Sequence, residues 1–190
     1  MAWILADRGA LDEVRVYAAH LSTLGRARGL PLDEGRGRWV LAEVQRRAGA
    51  LEEADEEVER AILLLSRTCP LDVPGALATK AALRLAQGKP GEALAAAEDG
   101  LARQVASKMD DHLLRGSFLR LVHIESLEAN GRHEEARAAL VSARDGLVSM
   151  VETIVDAAYQ TSFLENVPED RRTLELAREW LHIDVSARRR

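Results

Sequence analysis

The residues able to do chemistry are few and scattered. Five histidines (His20, His112, His123, His133 and His182) and one cysteine, Cys69, stand in a chain of 190 residues. No two histidines lie four apart and there is no second cysteine, so neither a two-histidine helix face nor a Cys/His ligand set can be assembled. Asp110-Asp111-His112 comes nearest to a cluster. It reads as the cap of a helix, with Asp110 or Asp111 supplying the oxygen. His123 reads as a partly buried histidine, and Cys69 as an inert thiol beside a turn. Carboxylates come in pairs at Glu52-Glu53, Glu56-Glu57 and Glu134-Glu135. Paired acids do general acid–base work only in a pocket that shifts their pKa values. Here they follow glycines in amphipathic patterns, which makes them helix-start charges and solvated faces. Gly35-Arg36-Gly37-Arg38 could meet a phosphate at a helix N-terminus, although it reads better as a loop and cap. Neither a Gly-Lys-Ser/Thr loop nor Gly-x-Gly-x-x-Gly is present, and no triad ordering carries a local signature. The expectation is a chain that is not an enzyme and holds no cofactor and no metal.

The composition agrees with a binding or structural role. Acidic residues number 31 against 26 basic ones, giving a net charge of −5. That balance speaks against nucleic acid as a partner, because phosphate neutralisation needs clustered Lys and Arg. Aromatics are scarce (Trp 3, Tyr 2, Phe 2) while Ala and Leu abound, which favours helices over sheet. No apolar run approaches the roughly 18 residues that span a bilayer. The first residues carry no basic segment or cleavage site, so no signal peptide is visible. With a lone cysteine, these features predict a cytoplasmic protein without membrane contact.

The elements that position these residues are announced by a repeat. Gly9-Ala10-Leu11-Asp12-Glu13-Val14 is echoed by Gly49-Ala50-Leu51-Glu52-Glu53-Ala54, Gly88-Lys89-Pro90-Gly91-Glu92-Ala93 and Gly131-Arg132-His133-Glu134-Glu135-Ala136. The glycines lie 40, 39 and 43 residues apart. Each follows one helical pattern and precedes another. A glycine just past a helix takes the left-handed conformation that ends it, and acids suit the start of the next helix. Five, nine and twelve residues after the glycines come Val14, Ala18 and Leu21; Ala54, Val58 and Ala61; Ala93, Ala97 and Gly100; Ala136, Leu140 and Ala143. Such residues let the second helix of each pair approach its neighbours closely. Ala42, Ala81 and Ile124 hold matching places in the first helices.

This pattern resembles the tetratricopeptide repeat (TPR), whose signature sets a glycine and small residues at such intervals. Ala42, Gly49, Ala54 and Ala61 fit, as do Ala81, Gly88, Ala93 and Gly100. Ile124 departs from the signature in the last unit. The period exceeds the family's usual one of about 34 residues, which resembles the extended repeats of large bacterial signalling proteins. The resemblance implies an all-α fold, a right-handed α-α superhelix of antiparallel helix pairs. Helices are predicted near 10–28, 34–48, 51–67, 73–87, 90–106, 109–130 and 133–152, after a stub at 2–7. Gly29-Leu30-Pro31 and the segment from Cys69 to Pro74 read as loops between repeats. The repeat array would cover 1–153, capping helices 154–186 and a basic tail 187–190. In the cap, Ile154 to Asn166 reads as a helix and Val167-Pro168-Glu169-Asp170 as a turn. Thr173 to Ile183 reads as an amphipathic helix presenting Leu174, Ala177, Trp180 and Leu181.

In such arrays the first helix of each pair lines a groove where partners lie. By position, the resemblance places Arg36, Trp39, Val40, Glu43 and Arg47 there, then Ala78, Thr79 and Ala82, then Phe118, Leu121, Val122 and Glu125. The Lys and Asn clamp with which some family members hold a terminal carboxylate is absent at these places. The expected groove has an apolar floor and scattered charge, suited to a helix or an extended peptide. Trp39 and Phe118 could equally pack between helices, and the terminal helix could occupy the groove. The function implied is a protein–protein interaction scaffold, a regulatory module or fragment of a bacterial signalling protein. A homodimer is possible. The alternative is a small-molecule-sensing regulatory domain of a larger signalling or transcription regulator, for which an enclosed pocket would speak.

Overall fold

The computed structural model describes residues 10–107 and 115–181. Among the described residues every regular element is helical: α1 (Leu11–Ala27), α2 (Pro31–Arg47), α3 (Leu51–Thr68), a 3-10 turn (Pro70–Asp72), α4 (Val73–Ala86), α5 (Pro90–Ser107), α6 (Gly116–Ala129), α7 (His133–Thr153), α8 (Ala157–Asn166) and α9 (Pro168–Leu181). The stub at 2–7, Gly9, the Asp110-Asp111-His112 cap, His182 and the tail at 187–190 lie outside the described residues. Consecutive helices pack side by side from α1 to α7. In addition α2 touches α4, α4 touches α6, and α9 packs on α6 and α7. The first helices therefore meet in series.

The connections explain why. Gly49, Gly88 and Gly131 have φ of 81°, 72° and 75°. In each, the glycine N–H donates to the carbonyl three residues back and the next N–H to the carbonyl five back, as in Gly49 to Arg46 and Ala50 to Gln45. This closure satisfies carbonyls that a helix end leaves unpaired. No atom lies within 4 Å of a Cβ built on these glycines, so conformation, not space, demands the residue. Gly29, expected in a loop between repeats, makes the same turn at φ 66°. The α1–α2 connection is thus as tight as those within pairs, whereas α3–α4 runs through the 3-10 turn at Pro70.

Residues at equivalent repeat positions reach equivalent environments. Ala42, Ala81 and Ile124 are each 0% exposed, and so are Ala54, Ala93 and Ala136. Twelve residues after the turn, Ala61, Gly100 and Ala143 are buried. Leu21 is the exception, exposed, with Ser22 turned inward instead. The second helices α3 and α7 bury single stripes such as Ala54, Val58, Ala61 and Leu65. By contrast α4, apolar almost all round, buries nearly every residue from Val73 to Arg84.

Three local expectations are corrected. Gly35 and Gly37 are not in a loop or cap but inside α2. A Cβ on Gly37 would stand 2.5 Å from the Ser22 backbone nitrogen, and one on Gly35 3.1 Å from the Leu65 side chain. The glycines let α1 and α3 close on opposite sides of one helix, a long-range need that outweighs their poor helix propensity. Replacing Gly37 by Ala should therefore lower stability by about 1–3 kcal/mol through overpacking. Gly146→Ala, in α7 with nothing near its Cβ, should raise stability by up to about 1 kcal/mol. Parallel urea titrations would show the opposite signs. Second, a helix from 109 cannot run unbroken to 130, because Arg115 sits at φ 68° as the N-cap of α6. Third, in the expected turn 167–170 only Val167 is a bend, and Pro168-Glu169-Asp170 already form the first turn of α9. Pro168 occupies its first position, where a missing N–H costs nothing.

Helix α9, which also buries Leu174, packs Leu176 and Ala177, with Trp180 and Leu181 partly covered, against Leu121, Ile124, Leu140 and Ala143. Its apolar stripe thus seals the end of α6 and α7. Helix α8, capped by Asp156 through the amides of Ala158 and Tyr159, buries no residue.

Candidate functional site

Most of the residues expected in a groove converge on one side of the first helices. Trp39 in α2 is 3% exposed, and its indole N–H donates to the Thr79 hydroxyl of α4 at 3.1 Å. Ala78 and Ala82 of α4 share one core cluster with Phe118 and Val122 of α6. Two residues belong elsewhere. Val40 faces α1 through Val14 and Ala18. Leu121 faces α7 and α9. The open apolar floor expected from the sequence is not found: Trp39, Val40, Glu43, Ala78, Thr79, Ala82, Phe118, Leu121 and Val122 are all buried. Trp39 and Phe118 instead pack between helices, Trp39 against Ala61, Leu65, Val73 and Ala76 of α3 and α4 and Phe118 against Ala78, Ala82, Ala96 and Ala97 of α4 and α5, where small residues leave room for large rings. Replacing Trp39 by Phe should cost about 1–2 kcal/mol, since it strips the buried Thr79 hydroxyl of its donor. In a chain of this size that is a fall of several degrees in Tm by circular dichroism.

A charged network closes the face. Glu43 is 0% exposed. It accepts two hydrogen bonds from Arg46, at 2.9 and 3.0 Å, and one from Arg47 at 2.7 Å. Arg115, at the start of α6, comes within 3.9 Å of the same carboxylate. The Arg115 guanidinium carbon also lies over the Phe118 ring, 4.2 Å from its centroid, and that of Arg46 reaches to 6.0 Å. Burial alone would raise the Glu43 pKa. The Arg46 hydrogen bond and the charges of Arg46, Arg115 and Arg47 outweigh it and hold the carboxyl down at about 2. The first and third first-helices, α2 and α6, are thereby joined directly across α4. The unusual backbone of Arg115 is stabilised by what its side chain meets there. No local sequence signal marks Arg115. The adjacent Arg46-Arg47 pair near a helix end reads from sequence as dipole compensation alone.

The border of this face stays partly open. Arg36, 46% exposed at its side chain, donates to Asp72 at 2.6 Å and lies 3.9 Å from the Cys69 sulfur. Glu125 is half-buried, and burial raises its pKa against the opposing charges of Arg172 and Arg46. Arg172 of α9 stands 3.9 Å away. His123 is half-buried as expected, and burial lowers its pKa. Not all the paired carboxylates are solvated. Glu57 receives Arg38 at 2.7 Å, and Arg38 also holds the buried Glu34, so α2 and α3 are strapped together.

A separate shallow depression of about 770 Å³ runs between α3 and the end of α4. It is lined by Glu52, Asp55, Glu56 and Glu59 with Leu51, Ala86, Gln87 and Lys89. Arg84, 7% exposed, answers these acids through Asp55 at 2.7 Å and Glu59 at 3.3 Å. Among the described residues no helix is long and apolar enough to cross a membrane, and no group of three or more His, Cys, Asp or Glu is placed to hold a metal ion. No protein-family model, curated protein or solved structure matches the chain.

Proposed function

We propose that the chain is a TPR-like array of helix pairs, wound as a right-handed superhelix and capped by α9. On this reading it acts without chemistry, as an interaction scaffold in the cytoplasm, a regulatory module or fragment of a bacterial signalling protein. The observation that carries the reading is the recurrence of one turn and one burial pattern. Gly49, Gly88 and Gly131 close their helices alike, and the residues before and after them are buried alike. A stack of near-identical units exposes a long, regular face, which is what such architectures offer a partner.

The partner is a protein or peptide. Since the apolar floor is occupied by Trp39 and Phe118, contact falls to the partly exposed charges bordering it: Arg36, Arg47, Glu125 and Arg172. Both signs are present, which suits a segment of mixed charge and gives orientation more than raw affinity. The experiment is photo-crosslinking in the cells that make the chain. A reactive residue at position 36 or 172 should capture one protein partner. The same residue at Val105, exposed on α5 and in none of these ion pairs, should not. Capture only from position 105, or from none, would remove the proposal.

A further inference from the structure

Among the described residues, helix α1 leaves an apolar stripe without a neighbour. It buries Val14, Ala18, Ser22 and Gly25, and its main described neighbour is α2. In α3, α5 and α7 the residue twelve places after the turn glycine is buried, whereas its counterpart Leu21 is 38% exposed. Tyr17, one turn earlier, is 60% exposed, and Leu24, nearly a turn later, is only partly covered. Helical geometry aligns Glu13, Tyr17, His20, Leu21, Leu24 and Arg28 along one side. The stripe therefore runs from an acid, through apolar groups, to a base. Neither Glu13 nor Arg28 forms an ion pair among the described residues.

This order is self-complementary. Turning a second α1 antiparallel, with the two-fold axis between residues 20 and 21, sets Glu13 against Arg28, Tyr17 against Leu24 and His20 against Leu21. Each pairing then occurs twice, as an isologous contact requires. A parallel alignment would instead bring like charges together at both ends. We infer that a second copy of this chain covers the stripe, in a two-fold dimer built on antiparallel α1 helices. The contact uses residues of α1, none of which belongs to the Glu43 network, and does not depend on what the charged border binds.

The test is sedimentation velocity of the full chain over a concentration series, with four variants: Leu21→Glu, Glu13→Arg, Arg28→Glu and the double reversal E13R/R28E. All three positions are exposed, so circular dichroism should show an unchanged fold; Tyr17→Lys gives a second apolar-site variant. The expected result is a concentration-dependent dimer, weakened about tenfold or more by Leu21→Glu and about tenfold by either single reversal. The double reversal should restore it to within about threefold, because a restored pair is what a double-mutant cycle detects. A monomer at every concentration overturns the inference, leaving the stripe to residues 1–9 or to another protein. A dimer indifferent to Leu21→Glu, or one not restored by the double reversal, overturns it equally.

Discussion

Replacing Glu43 by Gln is expected to lower the unfolding free energy by about 3 kcal/mol at neutral pH, because it leaves the buried Arg115 and the partly buried Arg46 and Arg47 without their carboxylate. The acid limb of the stability curve gives an independent check. The carboxyl is held at about 2 in the folded chain, against an ordinary value of 4.5. A depressed folded pKa contributes stability that is complete above the unfolded value and is lost as pH falls through the folded one. The window is therefore from 4.5 down to about 2, and that difference corresponds to roughly 3 kcal/mol. The two estimates agree in size although they rest on different reasoning. In the variant the acid limb should flatten over that window. The consequence reaches the inner face too, since Glu43 is what holds Arg46 and Arg115 over Phe118. Binding of an apolar dye should rise in the variant under native conditions. A loss below about 1 kcal/mol with an unchanged acid limb would mean that the network has no energetic standing, as exposed ion pairs often do not.

The contrast between Glu43 and the turn glycines shows which parts of this protein were legible in its sequence. Gly49, Gly88 and Gly131 adopt a backbone conformation that few other residues tolerate, so residue type alone reveals the turn. Ala54, Ala93 and Ala136 were legible because their spacing from those turns repeats. Gly35 and Gly37 are not legible, for the opposite reason. Locally they argue for a loop, and only the close approach of Ser22 and Leu65, distant in sequence, explains them inside α2. Glu43 appeared as a groove charge by repeat position, but its burial depends on Arg115, seventy-odd residues away, whose left-handed backbone no propensity predicts. Leu21 likewise fits the register, yet it is exposed because, among the described residues, α2 is the main neighbour of α1 and covers another side of it. Local chemistry thus predicts where helices stop. Which faces close depends on partners that only the folded chain brings together.

Asp170 should behave in the opposite sense to Glu43. It lies in the first turn of α9, where a helix dipole ordinarily favours an acid. Yet it is 1% exposed, and its Oδ1 finds no hydrogen-bond donor among the described residues. Burial dominates and, with the neighbouring Glu169, pushes its pKa up to about 6, against the opposing Ser117 hydrogen bond and the Arg120 charge. An acid whose folded pKa is raised makes the folded chain bind a proton that the unfolded chain releases. Its stabilising contribution is complete below the unfolded value of 3.8 and is lost as pH rises through about 6. At neutral pH the buried carboxylate therefore costs up to about 3 kcal/mol. Asp170→Asn, which keeps the shape and removes the charge, should raise stability by about 1–3 kcal/mol at pH 7.5. It should change stability little at pH 4, and urea titrations at the two values would separate the cases. Equal destabilisation at both would mean that the carboxylate is needed for its bond to Ser117 and that its charge carries no penalty. Glu125, also raised by burial and facing Arg172 across the same α6–α9 seam, adds in the same direction. Acid thus tightens the terminal helix on α6 until the pH falls far enough to protonate Glu43, when the opposite end of the network gives way.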